Sequence, residues 1–255
     1  NSRLANRKTG KSLSRSAAAA GGKDLWNRVR DELRLADVQH PRVAAQIEAF
    51  KRDPAYLYLF SRRAKPFLHY LVEQIHRRGL PMDLVFVPMV ESAFEPTAVS
   101  PKEAAGLWQI IPATGEERGL LIADGYDGRF DIHASTDAAL GYLRDLNKMF
   151  AGDWLLALAA YNAGPGTVQE AIKASKAVRP SAEAQSAAGD PEVATVSDPR
   201  PQSLYWDLQL PKETQDYVPK ILALAQMVAD PQTYGVQLPP IDNRAYLFRV
   251  VTTPD

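Results

Sequence analysis

A mainly α-helical protein is predicted by three features of this sequence. From Asp24 onward apolar residues recur at the three-to-four-residue spacing of an amphipathic helix in nearly every segment. The segments are bounded by Pro, Gly or Asp, which punctuate helices. Only the final stretch, Ala245 to Val251, has the β-branched and aromatic content of a strand. No period of about 20 to 50 residues recurs, which argues against a helical solenoid.

In order along the chain, Leu25, Val29, Leu33 and Leu35 form a first apolar stripe, and Val43, Ile47 and Phe50 a second. Residues 54–79 read as a longer helix with Phe60, Phe67, Tyr70, Leu71 and Ile75 inward. It stops at Gly79, with Arg77 and Arg78 in the last turn opposing the helix dipole. Further helices are expected at 82–92, 101–117, 133–150, 153–163 and 165–175. Residues 175–203 shift to Ala, Ser, Pro, Glu and Gln and read as a mobile loop or insertion. A helix resumes after Pro211, burying Tyr217, Ile221, Leu222 and Met227, before the short C-terminal strand.

Composition narrows the function. Thirty Lys+Arg balance thirty Asp+Glu in 255 residues, which argues against a nucleic-acid binder. The absence of cysteine excludes disulfides, thiolate metal sites and a cysteine nucleophile. The four histidines show no metal-ligand spacing, and no phosphate loop or serine elbow is present, so no metal and no cofactor are expected. The apolar runs are too short to span a bilayer, and a soluble chain is expected. The neutral total also conceals an asymmetry. Residues 1–23 carry Arg3, Arg7, Lys8, Lys11, Arg15 and Lys23 with no acid, so the remainder sums to −6. This opening reads as a flexible basic arm, either a solvated linker or a tether favouring an anionic surface. The chain begins at Asn1, so any leader or lipid-bearing cysteine is expected upstream.

The chemistry is concentrated in Leu84 to Pro112, LVFVPMVESAFEPTAVSPKEAAGLWQIIP. Glu91 closes an apolar run of Val85, Phe86, Val87, Met89 and Val90. A carboxyl at the end of a buried helix is desolvated, which raises its pKa and suits it to general-acid work. On the pattern alone, Glu91 reads first as a helix-end residue that simply reaches solvent.

Three motifs separate these readings. Glu91-Ser92 followed by Gly106-Leu107-Trp108-Gln109-Ile110-Ile111-Pro112, then Ala160-Tyr161-Asn162-Ala163-Gly164-Pro165-Gly166, then Glu213-Thr214-Gln215-Asp216-Tyr217-Val218 occur in order. Together they resemble the signatures of the lysozyme-like, SLT-type lytic transglycosylases. With the flanking runs, which look closest to the membrane-bound D subgroup, the likeness covers about residues 55–173 and 204–235.

That resemblance implies a lysozyme-like (goose-type/SLT) helical fold. The arrangement would be an arm at 1–23, N-terminal helices at 24–80, a catalytic domain at 81–235 and an extension at 236–255. It implies cleavage of the β-1,4 bond between N-acetylmuramic acid and N-acetylglucosamine with a 1,6-anhydro product and Glu91 as sole acid and base. Among other carboxyls, Glu95, Glu103 and Glu116 are placed by no motif as a second catalytic group. Ser100 is where the family binds the N-acetyl group or the acid, although it also suits a helix N-cap before Pro101. Gln109 matches the substrate-binding glutamine. Trp108 either stacks on a sugar or fills the core. Tyr161 matches a tyrosine that holds the acid, with Asn162 shaping the wall; Glu213 and Tyr217 would contact glycan or its peptide stem. The implied partner is peptidoglycan glycan strands, acted on by a monomer. The implied place is the periplasm, tethered to the outer membrane by a segment preceding this chain. Two features depart from the subgroup: the 175–203 stretch, and the absence of a lipobox cysteine and LysM repeats, which would make the chain part of a longer protein.

Overall fold

In the computed structural model, residues 24–178 and 203–248 are described. The basic arm at 1–23, nearly all of the 175–203 insertion and the last part of the expected terminal strand lie outside them. The described elements are α1 (Leu25–Asp31), α2 (Pro41–Lys51), α3 (Pro54–Arg77), a 3-10 turn (Met82–Phe86), α4 (Val87–Ser92), α5 (Pro112–Glu117), β1 (Ile122–Ala123), β2 (Tyr126–Asp127), α6 (Ile132–Met149), α7 (Trp154–Ala163), α8 (Pro165–Val178), a second 3-10 turn (Leu204–Asp207) and α9 (Lys212–Ala229). β1 and β2 form a two-stranded antiparallel hairpin. The mainly α expectation holds.

The caps follow from side-chain chemistry. The Asp24, Asp131 and Asp153 carboxylates accept backbone N–H groups that the first turns of α1, α6 and α7 leave without partners. α9 is the central element: Tyr217, Val218, Ile221, Leu222, Leu224 and Val228 are buried along it, and it packs against α2, α7 and α4. α7 is buried from Leu155 through Ala160 and sits between α6, α8 and α9. The chain after α9 returns to the N-terminal end, where Trp26 Nε1 and Ser61 Oγ both donate to Pro239 O, at 3.1 and 3.2 Å. Leu25 N donates to Ile241 O at 2.7 Å. The buried Asp83 carboxylate accepts from the Arg34 and Leu35 backbone amides at 2.8 and 3.1 Å, fastening the chain after α1 to the start of the first 3-10 turn.

Three expectations are corrected. The helix expected at 82–92 is divided, because Pro88 has no N–H to donate and its ring crowds the preceding turn; α4 therefore starts afresh at Val87. The helix expected at 101–117 exists only as α5. Residues 98–111 form a tight loop, with bridges pairing Val99 to Ala105 and Ala105 to Ile110, and with left-handed backbone at Glu103, Gly106 and Gln109. Its Ala104, Ala105, Leu107, Trp108 and Ile110 are buried by tertiary contacts, which mimics helical amphipathicity in the sequence. Residues 245–248, the described part of the expected strand, form no strand. The nearest extended pairing is a single bridge from Asp24 to Asp242, so that segment has no sheet to join.

Candidate functional site

Glu91 is one residue from the C-terminal end of α4, whose other side is buried. The helix is stopped by Ala93 and Phe94, both in the left-handed region at φ 51° and 58°, an unusual pair for residues with side chains. Phe94 is held there by packing against Phe60 and Phe67 of α3. The strained turn thus fixes where the Glu91 carboxyl emerges.

That carboxyl faces a cleft of about 640 Å³. Ser100, Gln109, Tyr161, Asn162, Glu213 and Tyr217 line it together with Glu91, so residues as much as 126 positions apart meet at one site. The Tyr217 hydroxyl donates to Glu91 Oε1 at 2.7 Å. One side of Glu91 opens to the cleft, leaving the residue half-buried, but protein atoms crowd the carboxyl itself. Desolvation, reinforced by the nearby Glu213 charge and partly offset by the Tyr217 hydrogen bond, pushes its pKa up from 4.5 to about 7. Burial, with the Glu91 charge beside them, pushes the Tyr161 and Tyr217 phenols well above 10. Both therefore remain hydroxyl donors at any physiological pH.

The loop at 98–111 forms the facing wall. Ser100 Oγ accepts from the Lys102 and Ala104 amides at 3.2 and 3.1 Å. It caps this turn and not a helix, and its hydroxyl proton remains available for donation. Gln109 sits at φ 47° and donates both amide hydrogens, to Ala98 O at 3.1 Å and Gly106 O at 2.9 Å, so its Oε1 acceptor is what it can offer a ligand. Asn162 links α7 to α9: its Oδ1 accepts from Thr214 Oγ1 at 2.8 Å, and its Nδ2 lies 3.4 Å from Glu213 Oε1.

Two placements correct the sequence reading. Trp108 is fully buried, and its indole N–H donates to Thr136 Oγ1 at 3.0 Å. Its ring therefore fills the core and does not line the cleft. Tyr161 donates to Trp108 O at 2.8 Å, so the phenol bonded to the acid is Tyr217. The resemblance assigned that role to Tyr161, but α9 packs against α4 and delivers the Tyr217 hydroxyl instead.

Ser92, present in the first motif, was given no role from the sequence. Its hydroxyl is 2.9 Å from Leu107 O, tying the end of α4 to the facing loop. Its position beside Glu91 was the only signal. Arg129, nearly buried, bonds the Glu103 and Ile110 carbonyls and pairs with Asp127, locking that loop onto the hairpin. Glu95, Glu103 and Glu116 are exposed and do not line the cleft; among the described residues Glu213 is the other carboxyl that does. Among the described residues, no cluster of three or more His, Cys, Asp or Glu is arranged to hold a metal.

Residues 72–183 match the family described as Transglycosylase SLT domain. The chain is 42% identical over 227 residues to the membrane-bound lytic murein transglycosylase D of Escherichia coli K12, covering 89% of this chain and 46% of that protein. It is 34% identical over 83 residues to the soluble lytic murein transglycosylase of the same strain, covering 31% of this chain and 13% of that one. A solved structure of an inactive mutant of the lytic transglycosylase Slt from Pseudomonas aeruginosa aligns with TM-score 0.44 and 27% identity over 66% of this chain and 24% of that one. The chain thus spans less than half the length of these relatives. The matched family segment contains Glu91, Ser100, Gln109 and Tyr161, whereas Glu213 and Tyr217 lie beyond it.

Proposed function

The chain carries a transglycosylase SLT domain, and from that premise we propose that it is a peptidoglycan lytic transglycosylase with Glu91 as its single acid and base. The observation that carries this reading is a cleft carboxyl raised to about 7, bonded to a phenol that stays protonated. Glu91 enters protonated and gives its proton to the bridging oxygen as the bond between N-acetylmuramic acid C1 and that oxygen breaks. The substrate's own C6 hydroxyl then bonds to C1, and its proton passes to the carboxylate. No water enters and Glu91 returns to its starting state. The N-acetyl carbonyl stabilises the cationic centre, with Gln109 Oε1 and the Ser100 hydroxyl suited to hold that amide. Glu213, Asn162 and Tyr217 border the glycan's path. The activity is that of an envelope enzyme acting on murein in the periplasm.

Mass spectrometry of muropeptides released from purified sacculi tests the reading. Products one water lighter than hydrolytic fragments are expected; reducing ends would identify a hydrolase instead.

The acid must be protonated at the start, so kcat/KM should fall as pH rises through about 7. Glu213 raises the Glu91 pKa and the Tyr217 hydrogen bond lowers it. Glu213→Gln should therefore move the alkaline limb to lower pH, and Tyr217→Phe should move it to higher pH while lowering the maximum. Limbs that coincide with the parent in both variants would remove Glu91 as the titrating acid.

A further inference from the structure

We propose that the outward face of α3, continued by the chain at 244–248, is a docking surface for an anionic lipid bilayer. One side of α3 is buried through Leu57, Phe60, Ala64, Leu68, Leu71 and Ile75. The opposite side presents Tyr58 and Leu59, 45% and 55% exposed, with Arg62, Arg63 and Lys65 exposed beside them. No Asp or Glu occurs from Pro54 to Val72. Among the described residues none of these three cations forms an ion pair or hydrogen bond, although Glu95 lies within electrostatic reach of Arg63. The Tyr246 ring joins the later segment to this face, with Lys65 Nζ 5.7 Å and Arg244 Cζ 4.9 Å from its centroid. Phe248, two residues on, is 78% exposed.

This cationic face belongs to a body, residues 24–255, whose net charge is −6 with these cations included. It is also adjacent to where the basic segment joins, because Asp24, which follows the six cations of 1–23, bridges to Asp242. Charge alone would suit any polyanion. Exposed Leu, Tyr and Phe among the cations suit a bilayer interface, where headgroups meet the charges and apolar tips enter the acyl boundary. The inference does not depend on the reaction proposed above.

Co-sedimentation of the full chain with vesicles of phosphatidylcholine, alone or with about one third phosphatidylglycerol, tests it. Binding is expected only to the anionic vesicles. Each cation near such a surface contributes about 1 kcal/mol, about fivefold in affinity, so Arg62→Gln, Arg63→Gln and Lys65→Gln combined should weaken binding about a hundredfold. Arg62→Lys with Arg63→Lys should bind like the parent. Leu59→Ser should weaken vesicle binding several-fold and leave binding to soluble poly-glutamate unchanged. If the triple Gln variant binds vesicles as the parent does, residues 1–23 carry the attraction and the proposal fails. If Leu59→Ser leaves vesicle binding unchanged, the face recognises polyanions and the bilayer assignment fails.

Discussion

Glu91→Gln is expected to abolish transglycosylation while leaving the fold more stable at alkaline pH. The loss of rate follows from Glu91 acting twice, first giving a proton and then taking one; an amide does neither. General acid–base catalysis contributes about 10²- to 10⁴-fold per transfer, so turnover should fall by at least about 10³-fold. Glycan affinity should persist, because Ser100, Gln109 and Asn162 are untouched. The stability effect comes from the same desolvation that makes the acid useful. A carboxyl raised from 4.5 to about 7 binds its proton more tightly in the folded state. Its contribution to stability is full below 4.5 and is lost as pH rises through about 7. Ionised Glu91 then costs the native state up to about 3 kcal/mol. The Gln variant should therefore melt several degrees above the parent at about pH 8 and level with it near pH 4. Calorimetry at the two pH values, beside a muropeptide assay, reads both effects. Residual turnover near the parent's would displace Glu91 as the acid. An equal melting difference at both pH values would mean its carboxyl is not shifted.

The sequence pattern revealed the acid and concealed what tunes it. Glu91 was legible through the three ordered motifs, because the apolar run before it also fits a helix-end carboxyl that reaches solvent. The helices α3, α6 and α9 were legible because their buried stripes are regular and their ends carry Pro, Gly or Asp, and α7 because its apolar run lies between Asp153 and Gly164. Residues 98–111 were not, since burial from several directions produces an apolar run without a helix, and the left-handed turns at Glu103 and Gln109 use residues that do not announce them. The Tyr217 hydrogen bond spans 126 residues and depends on how α9 crosses α4, which no local pattern encodes. Trp108 fell between two readings because an aromatic in a glycan-binding motif and an aromatic in a core have the same sequence signature. Its partner Thr136 is 28 residues away.

Gly106→Ala should be among the most damaging single-methyl changes in the protein. Gly106 has φ 76°, which disfavours any side chain, but the larger obstacle is steric: a Cβ would lie 2.0 Å from Arg129 O and 2.9 Å from Arg129 C. Both atoms are backbone, and the Arg129 guanidinium is held by Asp127, Glu103 O and Ile110 O, so the neighbour cannot rotate away. Relief requires the loop at 98–111 to separate from the chain at 127–131. That movement would carry Gln109, whose amide donates to Gly106 O, away from the acid. A loss of about 3–5 kcal/mol is expected, lowering Tm by on the order of 10 °C, with kcat reduced in whatever fraction stays folded. Gly119→Ala is the matched control: its φ is 80°, but nothing lies within 4 Å of a Cβ there, so only the backbone penalty of about 1 kcal/mol applies. Thermal melts of the two variants separate conformational strain from collision. Equal losses would mean that the loop yields without cost, and that the wall opposite Glu91 is not held by its contact with Arg129.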